Sequence, residues 1–217
     1  MSPKARTGIL GGSFNPPHLG HTTIAQEVLH QRLVTDVVMM VSPQNPLKDS
    51  RSLISEDERL RLATLACEGI PHLRASGFEF SLPRPSYTWL TLRALTQAFP
   101  QQDFCLIIGA DNWQIFPHWY KSKDIISAYN ILIYPRKGFE VSTQELPPGV
   151  IYVDMPTINI SSTEIRRRIA KGEDASQLVP PRVWEEIASN CLYTKKDHGQ
   201  QLHNNEDYKS EPTGHMQ

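Results

Sequence analysis

A pair of histidines follows a glycine-rich turn near the start of the sequence, in the run Gly11-Gly12-Ser13-Phe14-Asn15-Pro16-Pro17-His18-Leu19-Gly20-His21. Glycines let a backbone approach a ligand closely, and the start of a helix offers free N–H groups and a positive dipole end to an anion. His18 and His21 are three residues apart, so we expect both imidazoles on one side of a helical turn. Such a pair can donate hydrogen bonds to phosphate oxygens and stabilise the charge that develops in nucleotidyl transfer.

A second phosphate-type motif lies late in the chain, in Ile160-Ser161-Ser162-Thr163-Glu164-Ile165-Arg166-Arg167-Arg168. Ser161 or Ser162 suits the N-cap of a helix. Arg166 follows Thr163 by three residues, so it lies one turn further along the same face, where its planar fork suits phosphate oxygens. Taken alone, the segment also fits an ordinary capped helix with a basic surface.

Polar and aromatic residues also follow several other predicted strands. Lys48 lies in a proline-stiffened loop and can present a charge to a phosphate, and Gly109 and Asp111 suit the polar edge of a nucleotide. Trp119 can stack on a flat cationic ring. Each also fits a structural role, as a solvated lysine, a turn or a core aromatic.

Both motifs together resemble the nucleotidyltransferase superfamily, in which His18-Leu19-Gly20-His21 matches the (T/H)xGH signature and Ile160–Arg166 matches ISSTxIR. The preceding GGSFNPP and the stretch Ser86–Leu92 are similar to nicotinate-nucleotide adenylyltransferases. The resemblance covers about residues 7 to 190.

The resemblance implies a reaction in which the phosphate of nicotinate mononucleotide attacks the α-phosphorus of ATP. It implies ATP as a substrate, Mg²⁺ carried with ATP, and no metal site made by the protein itself. It assigns catalysis to His18, His21 and Lys48. It assigns ATP binding to Gly11, Gly12, Ser13, Phe14, Gly109, Asp111, Ser162, Thr163 and Arg166, and the acceptor nucleotide to Asn15, Thr88, Trp119 and Arg136.

The elements that must position these residues alternate between strands and helices. Apolar runs predict strands at Thr7–Leu10, Val37–Val41, Phe104–Ile108, Ile131–Tyr134 and Val150–Val153. Helical spacing predicts helices at Leu19–Leu33, Glu56–Glu68, Ser86–Phe99, Ser161–Lys171 and Pro181–Asn190. The alternation indicates an α/β fold, a Rossmann-like doubly wound parallel sheet with helices on both faces. Ligands of such folds bind beyond the carboxyl ends of the strands.

Length and composition limit the remaining possibilities. The 217 residues suit a single nucleotidyltransferase domain over 1–193, and the polar stretch 194–217 predicts a disordered tail. With 22 basic and 23 acidic residues and no basic stripe, we expect no nucleic-acid partner. No apolar run reaches the roughly 18 residues of a membrane helix. Three scattered cysteines and no signal segment favour the cytoplasm.

Three alternatives remain at this point. The acceptor could instead be nicotinamide mononucleotide or phosphopantetheine, since relatives with these acceptors carry similar motifs. A nucleotide-binding regulator without catalysis is a third reading, although His18, His21, Lys48 and Arg166 are all present. The sequence gives no indication of the oligomeric state.

Overall fold

The computed structural model describes residues 6–43 and 53–194. The prediction for Lys48 and the predicted tail, apart from residue 194, lie outside these ranges, and the single domain over 1–193 stays a prediction. The six strands are β1 (Arg6–Gly12), β2 (Asp36–Val41), β3 (Leu73–Ser76), β4 (Asp103–Gly109), β5 (Asn130–Tyr134) and β6 (Val150–Tyr152). The α-helices are α1 (Leu19–His30), α2 (Glu56–Cys67), α3 (Thr88–Ala98), α4 (Ala110–Ile115), α5 (Ser122–Ala128), α6 (Ser162–Lys171) and α7 (Pro181–Ser189).

All six strands form one parallel sheet in the order β3-β2-β1-β4-β5-β6. The chain builds outward from β1 to β3 and then returns to place β4 on the other side of β1. The strand order therefore reverses between β1 and β4, and folds of this kind bind their ligands in a crevice at this point, beyond the carboxyl ends of the strands. This arrangement confirms the predicted Rossmann-like α/β fold.

Alternating strand residues pack against helices on the two faces of the sheet. On one face, Leu10, Met39 and Ile107 contact α1 and α2, and on the other, Ile9, Val38 and Leu106 contact α3 and α5. Helices α2, α6 and α7 share a third apolar cluster that includes Leu62, Ile165, Val183 and Ile187. This cluster fixes α6 against the rest of the protein.

The structure differs from the predicted elements mainly at their ends. The predicted strands and helices are all present, and Ser55 and Glu58 form a capping box at the start of α2. Strand β3 was missed because its sequence, LRAS, carries a single buried apolar residue. Helix α3 begins at Thr88 instead of Ser86, and α1 ends at His30 instead of Leu33.

A buried arginine on α2 joins the loops that follow β1 and β2. The guanidinium of Arg59, which is 1% exposed, donates from Nη1 to the carbonyl oxygens of Ser13 at 2.9 Å and Ser42 at 2.7 Å. Its Nε donates to the carbonyl of Ile54 at 3.3 Å. One side chain therefore sets the distance between the histidine-bearing loop and the loop after β2.

We expect Arg59→Met to lower the free energy of unfolding by about 3 kcal/mol, because buried carbonyls lose their donor. Arg61→Met is the matched control on the same helix. Arg61 pairs with Glu186 at 3.0 Å but its side chain is 67% exposed, so its loss is expected to cost less than about 1 kcal/mol. Urea unfolding of both variants measures the difference, and equal losses would contradict this role of Arg59.

Candidate active site

The loop between β1 and α1 carries the histidine pair at the crevice. His18 is the residue preceding α1 and His21 lies in its first turn. Their rings stack with centroids 3.7 Å apart, and the ring of Phe14 meets His21 edge-on at 4.9 Å. Phe14 is buried, with a φ of 46°. The predicted placement of the two imidazoles on one side is therefore seen in the structure.

Gly20 leaves the space that the ring of His18 needs. A Cβ at this position would lie 2.9 Å from Nδ1 of His18 and 2.9 Å from the side chain of Ile158. Any larger residue would therefore displace one of them. This explains in steric terms why the third position of the His-Leu-Gly-His motif is a glycine.

Hydrogen bonding assigns the hydrogen of His21 to one ring nitrogen. The backbone N–H of His18 donates to Nδ1 of His21 at 3.1 Å. Because Nδ1 accepts, Nε2 carries the hydrogen in the neutral ring and is the atom that can donate to a ligand. Nδ1 of His18 is buried and has no hydrogen-bond partner among the described residues.

Both imidazoles are held in the neutral form in the ligand-free protein. Burial lowers the pKa of His18 to about 4, with a smaller contribution from the positive charge of Arg136. Burial also lowers the pKa of His21 well below its usual range, with added repulsion from His18 and Arg136. A bound polyphosphate would oppose both effects, because a nearby anion favours the protonated ring.

The second motif lies directly against the first. Helix α6 begins at Ser162, and the hydroxyl of Ser161 caps it by accepting from the N–H of Glu164 at 3.2 Å. The hydroxyl of Ser162 donates to the carbonyl of Pro16 at 2.8 Å. Nη1 of Arg166 donates to the carbonyl of Asn15 at 2.8 Å. The structure thus brings the two predicted motifs together, with Thr163 exposed at the start of α6.

Arg166 keeps part of its guanidinium available for a ligand. It is partly exposed, and its second contact, from Nη2 to the hydroxyl of Thr163, is long at 3.4 Å. By contrast, Arg167 and Arg168 pair with Glu164 at 2.7 and 2.9 Å. These ion pairs hold Arg167 and Arg168 on the surface of α6, and the phosphate-binding role of Arg166 stays a prediction.

An acidic and a basic residue meet beyond the ends of β4 and β5. Nε of Arg136 lies 3.7 Å from Oδ1 of Asp111, and its guanidinium carbon lies 5.3 Å from the centre of the Tyr134 ring. Both Oδ1 of Asp111 and Nε of Arg136 are buried without a hydrogen-bond partner among the described residues. Gly109 allows this arrangement, since a Cβ there would collide with Oδ1 of Asp111.

A cavity of about 980 Å³ opens beside this pair. Its wall includes Arg136, Phe139, Tyr152 and Asn159, which come from the ends of β5 and β6 and from the approach to α6. The cavity is large enough for a nucleoside. Arg136 is thus next to Asp111, which was assigned to ATP, although the sequence assigned Arg136 to the acceptor.

Two of the remaining predicted acceptor residues are Thr88, at the start of α3, and Trp119, which follows the 3-10 turn at Phe116–His118. Their neighbours Tyr87 and Tyr120 have rings 4.9 Å apart, so the two segments lie close together. Trp119 is partly buried and packs on Phe116. Asn15, in contrast, is 1% exposed, and its Oδ1 lies 3.5 Å from the backbone nitrogen of Ile54.

Sequence reasoning missed two buried charged residues near these loops, Arg59 and Glu79. Both lie outside the motifs, and neither belongs to an apolar or glycine-rich pattern. Their structural role is visible only from their hydrogen-bond partners, which are up to 46 residues away along the chain.

This fold and site define a nucleotidyltransferase of the cytidylyltransferase-like class: the family model described as Cytidylyltransferase-like matches residues 9–168. A probable nicotinate-nucleotide adenylyltransferase of Bacteroides thetaiotaomicron is 49% identical over 86% of this chain and 92% of the relative. One of Porphyromonas gingivalis is 40% identical over 88% of this chain and 99% of the relative. The chain belongs to the family of nicotinate-nucleotide adenylyltransferases.

Solved structures agree on the fold. The nicotinic acid mononucleotide adenylyltransferase of Plasmodium falciparum complexed with NaAD superposes with a TM-score of 0.73 at 17% identity, covering 87% of this chain and 97% of that one. A putative nicotinate-nucleotide adenylyltransferase of Vibrio parahaemolyticus gives 0.66 at 22% identity, covering 87% and 94%.

The neutral histidines make a testable contribution to stability. A histidine that stays neutral when folded, with its pKa lowered from 6.5 to about 4, stabilises the folded state above pH 6.5 and loses this contribution as the pH falls toward 4. We therefore expect the stability difference between wild type and His18→Asn to shrink by about 3 kcal/mol from pH 7 to pH 4. Urea unfolding at both pH values measures it.

Carboxylates that titrate in the same range are common to both proteins and cancel in the difference. A difference that stays constant over the pH range would contradict a buried neutral His18.

Proposed function

We propose that this chain transfers the adenylyl group of ATP to nicotinate mononucleotide, forming nicotinate adenine dinucleotide and releasing pyrophosphate. The observation that supports it most directly is the meeting of the two motifs at the carboxyl edge of the sheet. Ser162 and Arg166 of one motif are hydrogen-bonded to Pro16 and Asn15 of the other. The names of the curated relatives support the same reaction.

The phosphates of ATP would lie between the histidine pair and the start of α6. Nε2 of His21 is a donor on one side, and the guanidinium of Arg166, the Thr163 hydroxyl and the first N–H groups of α6 are donors on the other. The backbone of Gly11, Gly12 and Ser13, at the end of β1, is also proposed to contact these phosphates. Lys48 is also proposed for this site and lies outside the described residues.

The adenosine would occupy the wall formed by Gly109, Asp111 and the adjoining cavity. Oδ1 of Asp111 is buried and lacks a hydrogen-bond donor among the described residues, so a hydroxyl or amino group of a nucleoside would satisfy it. Nε of Arg136 lies 3.7 Å from this oxygen, and Arg136 is close enough to face either nucleotide.

The acceptor would lie against α3 and Trp119. The residue preceding α3, Tyr87, provides no side-chain cap, and the first turn contains no acidic residue. The first N–H groups of the helix and the Thr88 hydroxyl therefore suit the carboxylate of nicotinate better than an uncharged amide. Trp119 can stack on the pyridinium ring.

The reaction needs positioning and charge stabilisation more than a general base. An oxygen of the acceptor's phosphate, already anionic, forms a bond to the α-phosphorus while the bond to the bridging oxygen of the β-phosphate breaks. The electron pair of that bond leaves with pyrophosphate. His21 and Arg166 donate hydrogen bonds to the oxygens that gain charge, and the fixed loops hold the two reacting groups together.

We propose that Mg²⁺ enters with ATP and shields the charge of its phosphates. In residues 6–43 and 53–194 no group of three or more His, Cys, Asp or Glu side chains is placed to hold a metal ion. Magnesium binds substrate phosphates and keeps several waters, so few ligands from the protein suffice.

We also propose that the protein works in the cytoplasm. Cys67, Cys105 and Cys191 are unpaired thiols, as expected in a reducing compartment. Among the described residues, no helix combines the length and apolar character needed to cross a bilayer.

The experiment that tests the proposed function is pyrophosphate release from ATP and Mg²⁺ with competing acceptors. We expect nicotinate mononucleotide to be preferred over nicotinamide mononucleotide by about tenfold or more in kcat/KM, because the start of α3 favours a carboxylate. Preference for nicotinamide mononucleotide would leave the proposed reaction in place but contradict the assignment of nicotinate mononucleotide as the acceptor. Activity with phosphopantetheine alone would overturn the assignment to pyridine nucleotides, and ATP binding without release would support a regulator.

A substitution on α1 tests the role of the histidine pair. We expect His21→Ala to lower kcat about 100-fold, because a donor to the developing charge is lost. His30→Ala is the control, since His30 is exposed at the other end of the same helix. Full activity of His21→Ala in the pyrophosphate assay would contradict the assigned role.

A further inference from the structure

A buried carboxylate lies behind the proposed acceptor site. Glu79, in the 3-10 turn at Phe78–Ser81, is 7% exposed. Its Oε2 accepts from the hydroxyl of Ser86 at 2.8 Å, and its Oε1 accepts from the hydroxyl of Thr91 at 2.9 Å. None of the ion pairs within the described residues includes Glu79.

The two hydroxyls flank the residues proposed to meet the acceptor. Ser86 precedes α3 by two residues and Thr91 lies one turn inside it, with Tyr87 and Thr88 between them. Glu79 therefore holds the entry to the helix at two points. A single side chain, seven to twelve residues back along the chain, sets the position and direction of the first turn.

Helix α3 starts without a side-chain cap, and Ser86, two residues before it, is bonded to Glu79. A serine before a helix commonly caps it, and the sequence predicted a helix beginning at Ser86. The hydroxyl of Ser86 donates to Glu79, and the helix begins two residues later, after Tyr87, which offers no side-chain acceptor. The first N–H groups of α3 thus remain available.

The hydrogen-bond pattern fits an ionised carboxylate. Each oxygen of Glu79 accepts from a hydroxyl, which a charged carboxylate does on both sides. Burial raises the pKa of Glu79, and bonds from the hydroxyls of Ser86, Thr91 and Ser42 oppose the rise. The nearby positive end of α3 also stabilises the charge. Charge-assisted bonds are stronger and better fixed in direction than neutral ones.

We infer that Glu79 is a positioning residue for the acceptor nucleotide, holding Thr88 and the start of α3 in the geometry that receives the acceptor's carboxylate. The inference rests on the proposed function. Glu79 does not itself touch the acceptor. The consequence differs between the two substrates: loss of Glu79 changes the binding of the acceptor and leaves that of ATP unchanged, because the residues proposed to bind ATP lie on or just after β1 and β4, and on α6.

The test measures KM for each substrate and kcat in four variants, with urea unfolding as the check of folding. Leucine matches glutamate in size but cannot accept a hydrogen bond, and a well-packed apolar residue is often tolerated at a buried charged position. We expect Glu79→Leu to raise KM for nicotinate mononucleotide about tenfold and to change KM for ATP less than about twofold. Glu79→Gln, which can still bond both hydroxyls, is expected to stay within about threefold of wild type.

Two threonines on α3 provide the matched comparison. Thr91→Val removes one bond to Glu79 and is expected to raise KM for the acceptor about threefold. Thr96→Val removes a hydroxyl of the same helix that bonds the carbonyl of Leu92 at 2.9 Å and faces Tyr129. This control is expected to leave both KM values unchanged even if it lowers stability. Thr91→Val also serves as the test if Glu79→Leu does not fold.

Unchanged KM for the acceptor in both Glu79→Leu and Thr91→Val, or an equal rise in KM for both substrates, would overturn the inference while leaving the proposed function intact. If the wild-type protein forms no dinucleotide from either pyridine mononucleotide, the proposed function fails first, and the inference fails with it. The wild-type reaction, measured beforehand, separates the two outcomes.

Discussion

The loop after β1 and the first turns of α6, which lie about 150 residues apart in the chain, are hydrogen-bonded to each other, and the candidate site depends on this contact. The hydroxyl of Ser162 and the guanidinium of Arg166 bind the carbonyls of Pro16 and Asn15, across sequence separations of 146 and 151 residues. The parallel sheet makes the contact possible, because it brings the carboxyl ends of β1 and β4 to one edge and α6 returns over them. Arg59 supports the same loop from behind through the carbonyl of Ser13.

The proposed phosphate site combines desolvated imidazoles with arginine side chains. Burial lowers the pKa of His18 and His21, whereas Arg166 donates to the carbonyl of Asn15 and Nε of Arg136 lies 3.7 Å from the carboxylate of Asp111. Oδ1 of Asp111 and Nδ1 of His18 are buried without hydrogen-bond partners among the described residues. Such groups are unfavourable in the free protein, and a nucleotide that satisfies them gains specificity from each.

The sequence was sufficient for the parts of the structure that are local. Strands such as β2 and β4 could be predicted because they are uninterrupted apolar runs. The start of α2 is marked by Ser55 and Glu58, which form a reciprocal pair of hydrogen bonds. The two motifs were paired by their resemblance to the two signatures of the nucleotidyltransferase superfamily. Strand β3 has no such pattern, since its four residues include one buried apolar side chain and it is held mainly by β2.

The positions of buried charges could not be read from the sequence, because they are decided by partners distant in the chain. Ser86 looked like the start of α3 and instead binds Glu79, and Arg59 looked like one of several charged residues on an amphipathic helix. Likewise Arg136 was grouped with the acceptor residues by resemblance, whereas its nearest charged neighbour is Asp111. Only the folded chain shows which charges face one another.

The central claim is that the α-phosphate of ATP is transferred as an adenylyl group, and isotope position tests it most directly. The protein would be incubated with Mg²⁺, nicotinate mononucleotide and ATP labelled on either the α- or the γ-phosphate. We predict that the α-label appears in the dinucleotide and the γ-label in pyrophosphate. Transfer of the γ-label to the acceptor, or retention of both labels in ATP, would contradict it.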